Sequence, residues 1–282
     1  PLYLYTLTPE KHAHLLQEIT HILKTNALDY TFVTDKVATP IAESPMSIER
    51  ISTGILICVG GDGTLLDAIK KTMHQNLDII GVNTGKLGFL SDIPPTGLNQ
   101  LIEIVQGTSQ KDTRHFIRLN AHTTSTQAKP NYFYAVNEIS LHRLHSHLIA
   151  FSVYSEDTCI ASYEADGLLI STPTGSTAYN LSAGGPVVHP KAPVHILNPI
   201  CPHKLTSRPL ILPASTPLQL RIHSPPEHFR VSLDGQDLPS QQPSSHFLIQ
   251  QSTKTFTLLH PSHYHFYHCL QAKLQWEAPN AR

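Results

Sequence analysis

Five consecutive residues, Gly60-Gly61-Asp62-Gly63-Thr64, carry the most specific chemical signal in the chain. They follow the aliphatic run Ile55 to Val59 and precede a helical pattern from Leu65 to His74, so a strand passes to a helix through a glycine turn. Glycines let the main chain approach a polyanion, Thr64 can cap the helix, and the helix start offers unpaired N–H groups at its positive end. That is phosphate-binding geometry. Asp62 has the wrong sign for phosphate alone. Its carboxylate suits a substrate hydroxyl that it binds or deprotonates, or a metal ion between itself and a nucleotide, which is a kinase-like arrangement. The same five residues also fit an ordinary tight turn in which Asp62 caps the following helix. Other phosphate motifs fit worse: Gly85-Lys86-Leu87 lacks the Ser/Thr and the earlier glycine of a P-loop, and Gly61-Asp62-Gly63 has no third glycine at dinucleotide-fingerprint spacing.

A second loop, Asn83-Thr84-Gly85-Lys86-Leu87-Gly88-Phe89-Leu90, follows the aliphatic run Asp78 to Val82. In a parallel sheet it emerges on the same edge as Gly60 to Thr64, so two glycine loops face one crevice. Lys86 either meets a phosphate or is solvated, the commoner fate of a lone lysine. Further on, Asn137-Glu138 interrupts an otherwise apolar and aromatic strand, Tyr132 to Leu141. Adjacent strand residues point to opposite faces, so this pair marks either a polar site or an exposed edge. The block Asp166 to Pro186 opens from a buried strand, Gly167 to Thr172, into a turn rich in hydroxyls and glycine that ends in Tyr179. Backbone N–H groups, Thr172, Thr174, Thr177 and a tyrosine ring suit a nucleoside, and a structural Thr/Gly loop has the same composition. No Gly-x-Ser-x-Gly elbow surrounds Ser176, so hydrolase chemistry gains nothing here.

The elements that must position these residues fall into two parts. At about 150 residues per domain, 282 residues predict two domains. Proline separates them: six of 22 lie in residues 1 to 111 and 16 in the rest. Up to residue 111, extended runs at Leu2 to Thr6, Tyr30 to Val33, Ile55 to Val59 and Asp78 to Val82 alternate with helical patterns. Those patterns run from Pro9 (Leu15, Leu16, Ile19, Ile22 and Leu23 on one face), from Leu65, and around Leu98 to Val105. Such alternation predicts a Rossmann-like α/β domain with a parallel sheet over residues 1–111. From 112 to 262 short strands divided by Pro, Ser, Asn and Gly predict a β-sandwich-like domain. Residues 263–282 begin with apolar positions near helical spacing, His263 to Trp276, and read as a terminal tail packing back on the first domain.

Composition excludes several classes of function. With 20 basic against 21 acidic side chains, a formal charge of -1 and no Lys/Arg run, the chain lacks the footprint of a nucleic-acid or acidic-membrane binder. Its aliphatic runs are too short to span a bilayer. The expectation is a soluble, cytoplasmic protein without nucleic-acid or membrane partners. Cys58, Cys159, Cys201 and Cys269 show no zinc or disulfide spacing and read as reduced thiols. Six of the 19 histidines lie in two dense clusters, His142-Arg143-Leu144-His145-Ser146-His147 and His263-Tyr264-His265-Phe266-Tyr267-His268, read as solvated rather than metal-ligating. Their protonation predicts acid-sensitive stability below about pH 6.

Taken together, these stretches closely resemble the NAD kinase family. The matching pieces are Gly60 to Thr64, Asn83 to Leu90, Asn137-Glu138, Asp166 to Pro186, Pro199-Ile200-Cys201-Pro202-His203 and Arg208-Pro209. The glycine-Asp-glycine motif is shared with diacylglycerol-type lipid kinases and phosphofructokinases; the long Asp166 to Pro186 block points to NAD kinase. The resemblance implies transfer of the γ-phosphoryl group of ATP, or another donor, to the 2′-hydroxyl of the adenosine ribose of NAD, giving NADP, with Mg2+ and a homodimer or homotetramer. By position, Asp62 corresponds to the base that activates that hydroxyl, with Gly63 beside it and Gly60, Gly61 and Thr64 in the phosphate loop. Asn137 and Glu138 correspond to adenosine-side ligands, His147 to a basic or His contact, and Asp166 to a contact with the nicotinamide part, in many members from a neighbouring subunit. Thr174, Thr177, Ala178, Tyr179, Asn180, Leu181 and Ser182 would wrap the nucleoside. Two departures stand out: Glu164 occupies a position where many members are basic, and Ser232-Leu233-Asp234-Gly235-Gln236 matches a late family site loosely, with Gln236 as its candidate contact. A diacylglycerol-type lipid kinase and a catalytically silent NAD-binding sensor are the alternatives.

Overall fold

A computed structural model describes residues 1–34, 46–85, 88–121, 132–238 and 244–276. The chain folds as two units, Pro1–Thr113 with Thr255–Arg282, and Arg114–Lys254. Among the described residues no helix is long and apolar enough to cross a membrane.

The first unit begins β1 (Leu2–Tyr5), α1 (Ala13–Thr25), β2 (Tyr30–Val33), β3 (Thr53–Val59), α2 (Asp62–Lys71), β4 (Asn76–Val82) and α3 (Asn99–Val105). Its strands are parallel in the order β2-β1-β3-β4, with Leu4 opposite both Phe32 and Ile57, and Val59 opposite Val82. The sheet carries helices because its strands are apolar toward their carboxyl ends: Leu4, Ile57, Val59, Ile80 and Val82 share one core with Leu16, Ile19 and Leu23 of α1 and Leu101 of α3. α1 starts at Ala13, later than the expected Pro9. The intervening residues form hydrogen-bonded turns, and regular helix begins where Leu15 and Leu16 can be buried.

Within β5 (Ser109–Ala121) the chain enters the second unit. There follow β6 (Tyr132–Ala135), β7 (Glu138–Arg143), β8 (Ile149–Ser155), β9 (Thr158–Ala165), β10 (Gly167–Ser171), α4 (Tyr179–Ser182), β11 (Val194–Ile200), β12 (Leu210–Pro213), β13 (Leu218–Ile222), β14 (Phe229–Leu233) and β15 (Gln236–Asp237). Six strands form an antiparallel sheet in the order β12-β11-β10-β7-β14-β15. Facing it are the β8–β9 hairpin and β13, which pairs with the start of β16 (His246–Pro261) through Leu218 and Ile249. Alternate residues of the two sheets, such as Ile139, Leu141, Leu168, Ile170 and Val231 against Phe151, Val153, Leu220 and Ile249, make the sandwich core.

The segment expected as one strand from Tyr132 to Leu141 is two. β6 and β7 are separated by Val136-Asn137, whose N–H groups bond to the Asp234 carboxylate at 2.9 and 2.7 Å instead of to a neighbouring strand. β16 returns to the first unit between Lys254 and Thr255, lies parallel to β4 with Thr257 opposite Asp78, and leads to α5 (Phe266–Leu274), whose Cys269 and Leu270 are buried.

Candidate functional site

In the first unit Asp62 is the first residue of α2 rather than a turn residue ahead of it. Gly61 stands at the cap position, which a glycine serves at little cost, so Thr64 does not cap the helix as expected; its N–H donates to Gly61 O at 3.0 Å. A carboxylate in the first turn also complements the helix dipole. The Asp62 side chain reaches the second glycine loop. Its Oδ2 accepts the Phe89 N–H at 2.8 Å, and its Oδ1 accepts the Leu90 N–H, the Ser91 N–H and the Ser91 hydroxyl at 3.1, 3.1 and 3.0 Å. A Cβ at position 88 would lie 2.0 Å from Asp62 Oδ1, so only glycine lets the loop close around this carboxylate. The loop itself folds back on β4, with Asn83 N–H donating to Ile93 O at 2.8 Å and Asn83 Nδ2 to Ser91 O at 3.3 Å. The proximity of the two glycine loops, expected from parallel-sheet geometry, is thus made by Asp62 itself. Lys86 lies outside the described residues.

In the second unit β7 turns a polar face away from the sandwich core: Glu138, Ser140 and His142 project opposite to the core residues Ile139 and Leu141. Glu138 is buried, with its partner in register, Ser171, beside it. Three successive N–H groups, Val136, Asn137 and Glu138, converge on the Asp234 carboxylate at 2.9, 2.7 and 3.2 Å. Asp234 has φ +47 in the turn between β14 and β15. Thr172 holds the other side of this segment, donating its hydroxyl to Val136 O at 2.7 Å and its N–H to Asn137 O at 2.8 Å. Its hydroxyl also accepts the Gly175 N–H at 3.0 Å. The following turn packs so closely that a Cβ on Gly175 would fall 2.1 Å from Asn137 O.

Beyond that contact, Thr174 to Thr177 form a 3-10 turn leading into α4. Thr174 is buried, and Thr177, Ala178 and Leu181 are half-buried. Tyr179 and Ser182 are exposed. Tyr179 lies over His142 with ring centroids 5.6 Å apart and an 18° interplanar angle, giving a flat aromatic surface. Burial pushes the His142 imidazole below its usual range, favouring a neutral ring, and burial first, then the nearby Cys201 and Glu138, raises the Tyr179 phenol. Asn180 behaves differently from its neighbours. It is wholly buried, its Nδ2 donates to Ser176 O and Pro186 O at 3.2 and 3.1 Å, and its Oδ1 accepts Asn198 Nδ2 at 3.1 Å. It therefore braces the turn instead of presenting its amide.

Asp166 is ion-paired with Arg143 Nε at 2.6 Å, and the same guanidinium donates through its Nη1 to His145 O and Ser146 O. His147 is exposed in the connection from β7 to β8, as is Gln236 in β15. At Glu164 the main-chain O accepts the His203 N–H at 2.8 Å, and the exposed carboxylate stands 4.0 Å from His203 Nδ1. Among the described residues no three His, Cys, Asp or Glu side chains gather as a metal site.

Comparison with known proteins decides the family. The model for the ATP-NAD kinase N-terminal domain matches residues 17–108, and that for the ATP-NAD kinase C-terminal domain matches residues 136–260. This chain belongs to the NAD kinase family. It is 38% identical over 229 residues to an NAD kinase of Legionella pneumophila (strain Corby), covering 79% of this chain and 76% of that one. With an NAD kinase of Shewanella loihica it shares 35% identity over 269 residues, covering 93% and 91%. Yeast NADH kinase complexed with NADH has the same fold, with a TM-score of 0.82 at 23% identity over 99% of this chain and 88% of that one. So does an NAD kinase from Archaeoglobus fulgidus in complex with ATP, with a TM-score of 0.76 at 20% identity over 99% and 100%.

For an NAD kinase, most positions named from the sequence occupy three local clusters: Gly60 to Thr64 with Gly88 to Ser91, Asn137-Glu138 with Thr172 to Tyr179, and Asp166 with the connection from β7 to β8. Ser91 and Arg143 help organise those clusters and were given no role by sequence reasoning; Thr172, expected beside a nucleoside, and Asp234, expected only as part of the late motif with Gln236, hold the main chain at Val136 to Glu138. Asp234-Gly235 carried a signal, because an Asp-Gly pair after a strand marks a turn that admits positive φ.

Proposed function

We propose that this NAD kinase family member transfers the γ-phosphoryl group of ATP to the 2′-hydroxyl of the adenosine ribose of NAD, giving NADP. The observation that carries the proposal is the Asp62 carboxylate, held by four hydrogen bonds at the start of a helix whose first residues are glycine-rich. Phosphoryl transfer asks little covalent chemistry of a protein beyond alignment, charge neutralisation and a base at the acceptor. Asp62 would take the hydroxyl proton through Oδ2, which accepts one main-chain N–H where Oδ1 takes three donors. Main-chain N–H groups at Gly61 and Gly63 would meet phosphate.

Asn137 and Glu138 would bind the adenosine side, the Thr174 to Ala178 turn would line the nucleoside, and Tyr179 on His142 would stack against a ring. Leu181 and Ser182 would extend that wall, with Asn180 supporting it. Asp166, His147 and Gln236 would contact the remainder of the dinucleotide, Asp166 by way of a site shared between subunits of a homodimer or homotetramer. Mg2+ would be held chiefly by the nucleotide phosphates and water, which suits a protein without a three-ligand cluster among its described residues. When bound, the ion would neutralise charge on the transferring phosphoryl group. We extend the proposal to a cytoplasmic enzyme, where the free thiols of Cys58, Cys159, Cys201 and Cys269 stay reduced.

The test is incubation with NAD, ATP and magnesium, with NADP read by an NADP-specific dehydrogenase. Parallel arms replace NAD by NADH, ATP by polyphosphate, and NAD by diacylglycerol. NADP formation supports the proposal; no phosphorylated dinucleotide with any donor overturns it, and a phosphorylated lipid in its place would assign the lipid-kinase alternative.

A further inference from the structure

The C-terminal segment of the first unit grips the loop that holds Asp62. His260, near the end of β16, has a side chain only 1% exposed, and its Nδ1 donates to Asp92 Oδ2 at 2.8 Å. A second carboxylate, Asp112, lies 3.7 Å from Nε2, and Tyr264 stacks on the ring at 3.9 Å with a 9° interplanar angle. Asp92 directly follows Ser91, the last of the three residues whose N–H groups bind Asp62. At the other end of the same loop, Cys269 Sγ of α5 donates to Gly88 O at 3.6 Å. One turn further on, Lys273 Nζ lies 5.4 Å from the centroid of the Phe89 ring, within cation–π range.

The loop is therefore anchored at residues 88 and 89 by α5 and at residue 92 by His260, and its free main-chain donors between those anchors are spent on Asp62. A buried pair of this kind holds one geometry, because breaking it strands a carboxylate away from water. We propose that His260 is a positioning residue for phosphoryl transfer: by fixing Asp92 it fixes the 88–91 main chain, and through it the orientation of the Asp62 carboxylate toward the acceptor hydroxyl. This rests on the role of Asp62 proposed above. Misplacement of a reacting group by about 1 Å costs up to about 100-fold in rate, so a device acting on Asp62 alone should be read in kcat and not in substrate binding.

The experiment compares the purified full chain with His260→Leu, which removes the donor to Asp92, and His260→Asn, whose amide places an N–H where Nδ1 stood. NADP formation gives kcat and KM for NAD and ATP, in the wild-type and the Asp62→Asn backgrounds. Hydrogen exchange of the peptide spanning residues 88–92 gives a readout independent of turnover. The expected result is a kcat loss of about 10–100-fold in His260→Leu, KM values within about twofold, and substantial recovery in His260→Asn. In the Asp62→Asn background the further loss should shrink to about twofold or less, because both changes act on one group. Exchange at 88–92 should quicken in His260→Leu and recover in His260→Asn. Losses that multiply in the double variant, a change confined to KM, or unaltered exchange would overturn the proposal. If His260→Leu does not fold, Lys273→Met on half-exposed α5 enters the same cycle, with a smaller kcat loss expected that likewise disappears with Asp62→Asn. A wild-type protein that forms no NADP, or an Asp62→Asn protein with unchanged kcat, would refute the underlying function and leave a separate signature from failure of the His260 arm.

Discussion

The Asp234 carboxylate accepts the Asn137 N–H at 2.7 Å across 97 residues of chain, and takes the two flanking N–H groups as well. Asp62 does the same to Phe89, Leu90 and Ser91 in the other unit. In both places a carboxylate from a turn or helix start gathers successive main-chain donors that a strand or helix would otherwise have paired. Hydrogen bonds to a charged group contribute about 1.5–3 kcal/mol each, so such clamps can hold irregular backbone that propensity alone would not.

Asp234→Ala should therefore destabilise the protein by about 2–3 kcal/mol and weaken NAD binding, because Asn137 and Glu138 lose the group that orients them. Asp234→Asn keeps an acceptor and tolerates the positive φ, so it should lose less on both counts. Thermal melting together with NAD titration checks this, and equal behaviour of the two variants would contradict it.

Asp62→Asn should lower kcat by about 10²–10⁴-fold while NAD affinity stays near the wild-type value. Asparagine retains one carbonyl oxygen for the three donors that now meet Oδ1, while its NH2 replaces the oxygen that accepts the Phe89 N–H, so one of the four loop hydrogen bonds is lost together with the base. Equal losses in turnover and affinity would mean that Asp62 serves binding rather than proton transfer.

Gly175→Ala adds a Cβ 2.1 Å from Asn137 O, against backbone that cannot yield as a flexible side chain would. A stability loss of about 1–3 kcal/mol is expected, with a raised KM for NAD as the turn and Asn137 move apart. A wild-type melting temperature and KM would show that this close approach is not needed.

The neutral state of His195 sets a pH dependence. Burial lowers its pKa from 6.5 to about 4. Between those values the unfolded chain binds a proton that the folded one does not, so stability is full above about pH 6.5 and is lost as pH falls toward 4. The total is about 3 kcal/mol. His142, also lowered by burial, adds in the same direction. Melting temperature should fall on going from pH 7.5 to 5, and His195→Gln should flatten that slope; an unchanged slope would assign the acid sensitivity to other groups.

Much of this protein is legible in its sequence. The run Ile55 to Val59, the two glycines and the periodic residues from Leu65 determined a strand, a turn and a helix at a phosphate-binding junction, because those are short-range consequences of burial and main-chain sterics. The apolar run Gly167 to Thr172 determined β10 to within a residue, and the Asp166 to Pro186 block pointed to the family. Less legible was the role of each side chain. Thr64 has the chemistry of a cap, yet Gly61 holds that place; Asn180 has the chemistry of a ligand contact, yet it is sealed inside the turn.

What only the tertiary structure decided is which distant residue completes each cluster. Asp62 meets a loop 27 to 29 residues away, Asp234 a strand break 96 to 98 residues away, and His260 an aspartate 168 residues away. No periodicity encodes such pairings. They follow from the path of β4 and β16 and from the need of buried carboxylates and unpaired main-chain N–H groups to satisfy one another away from water.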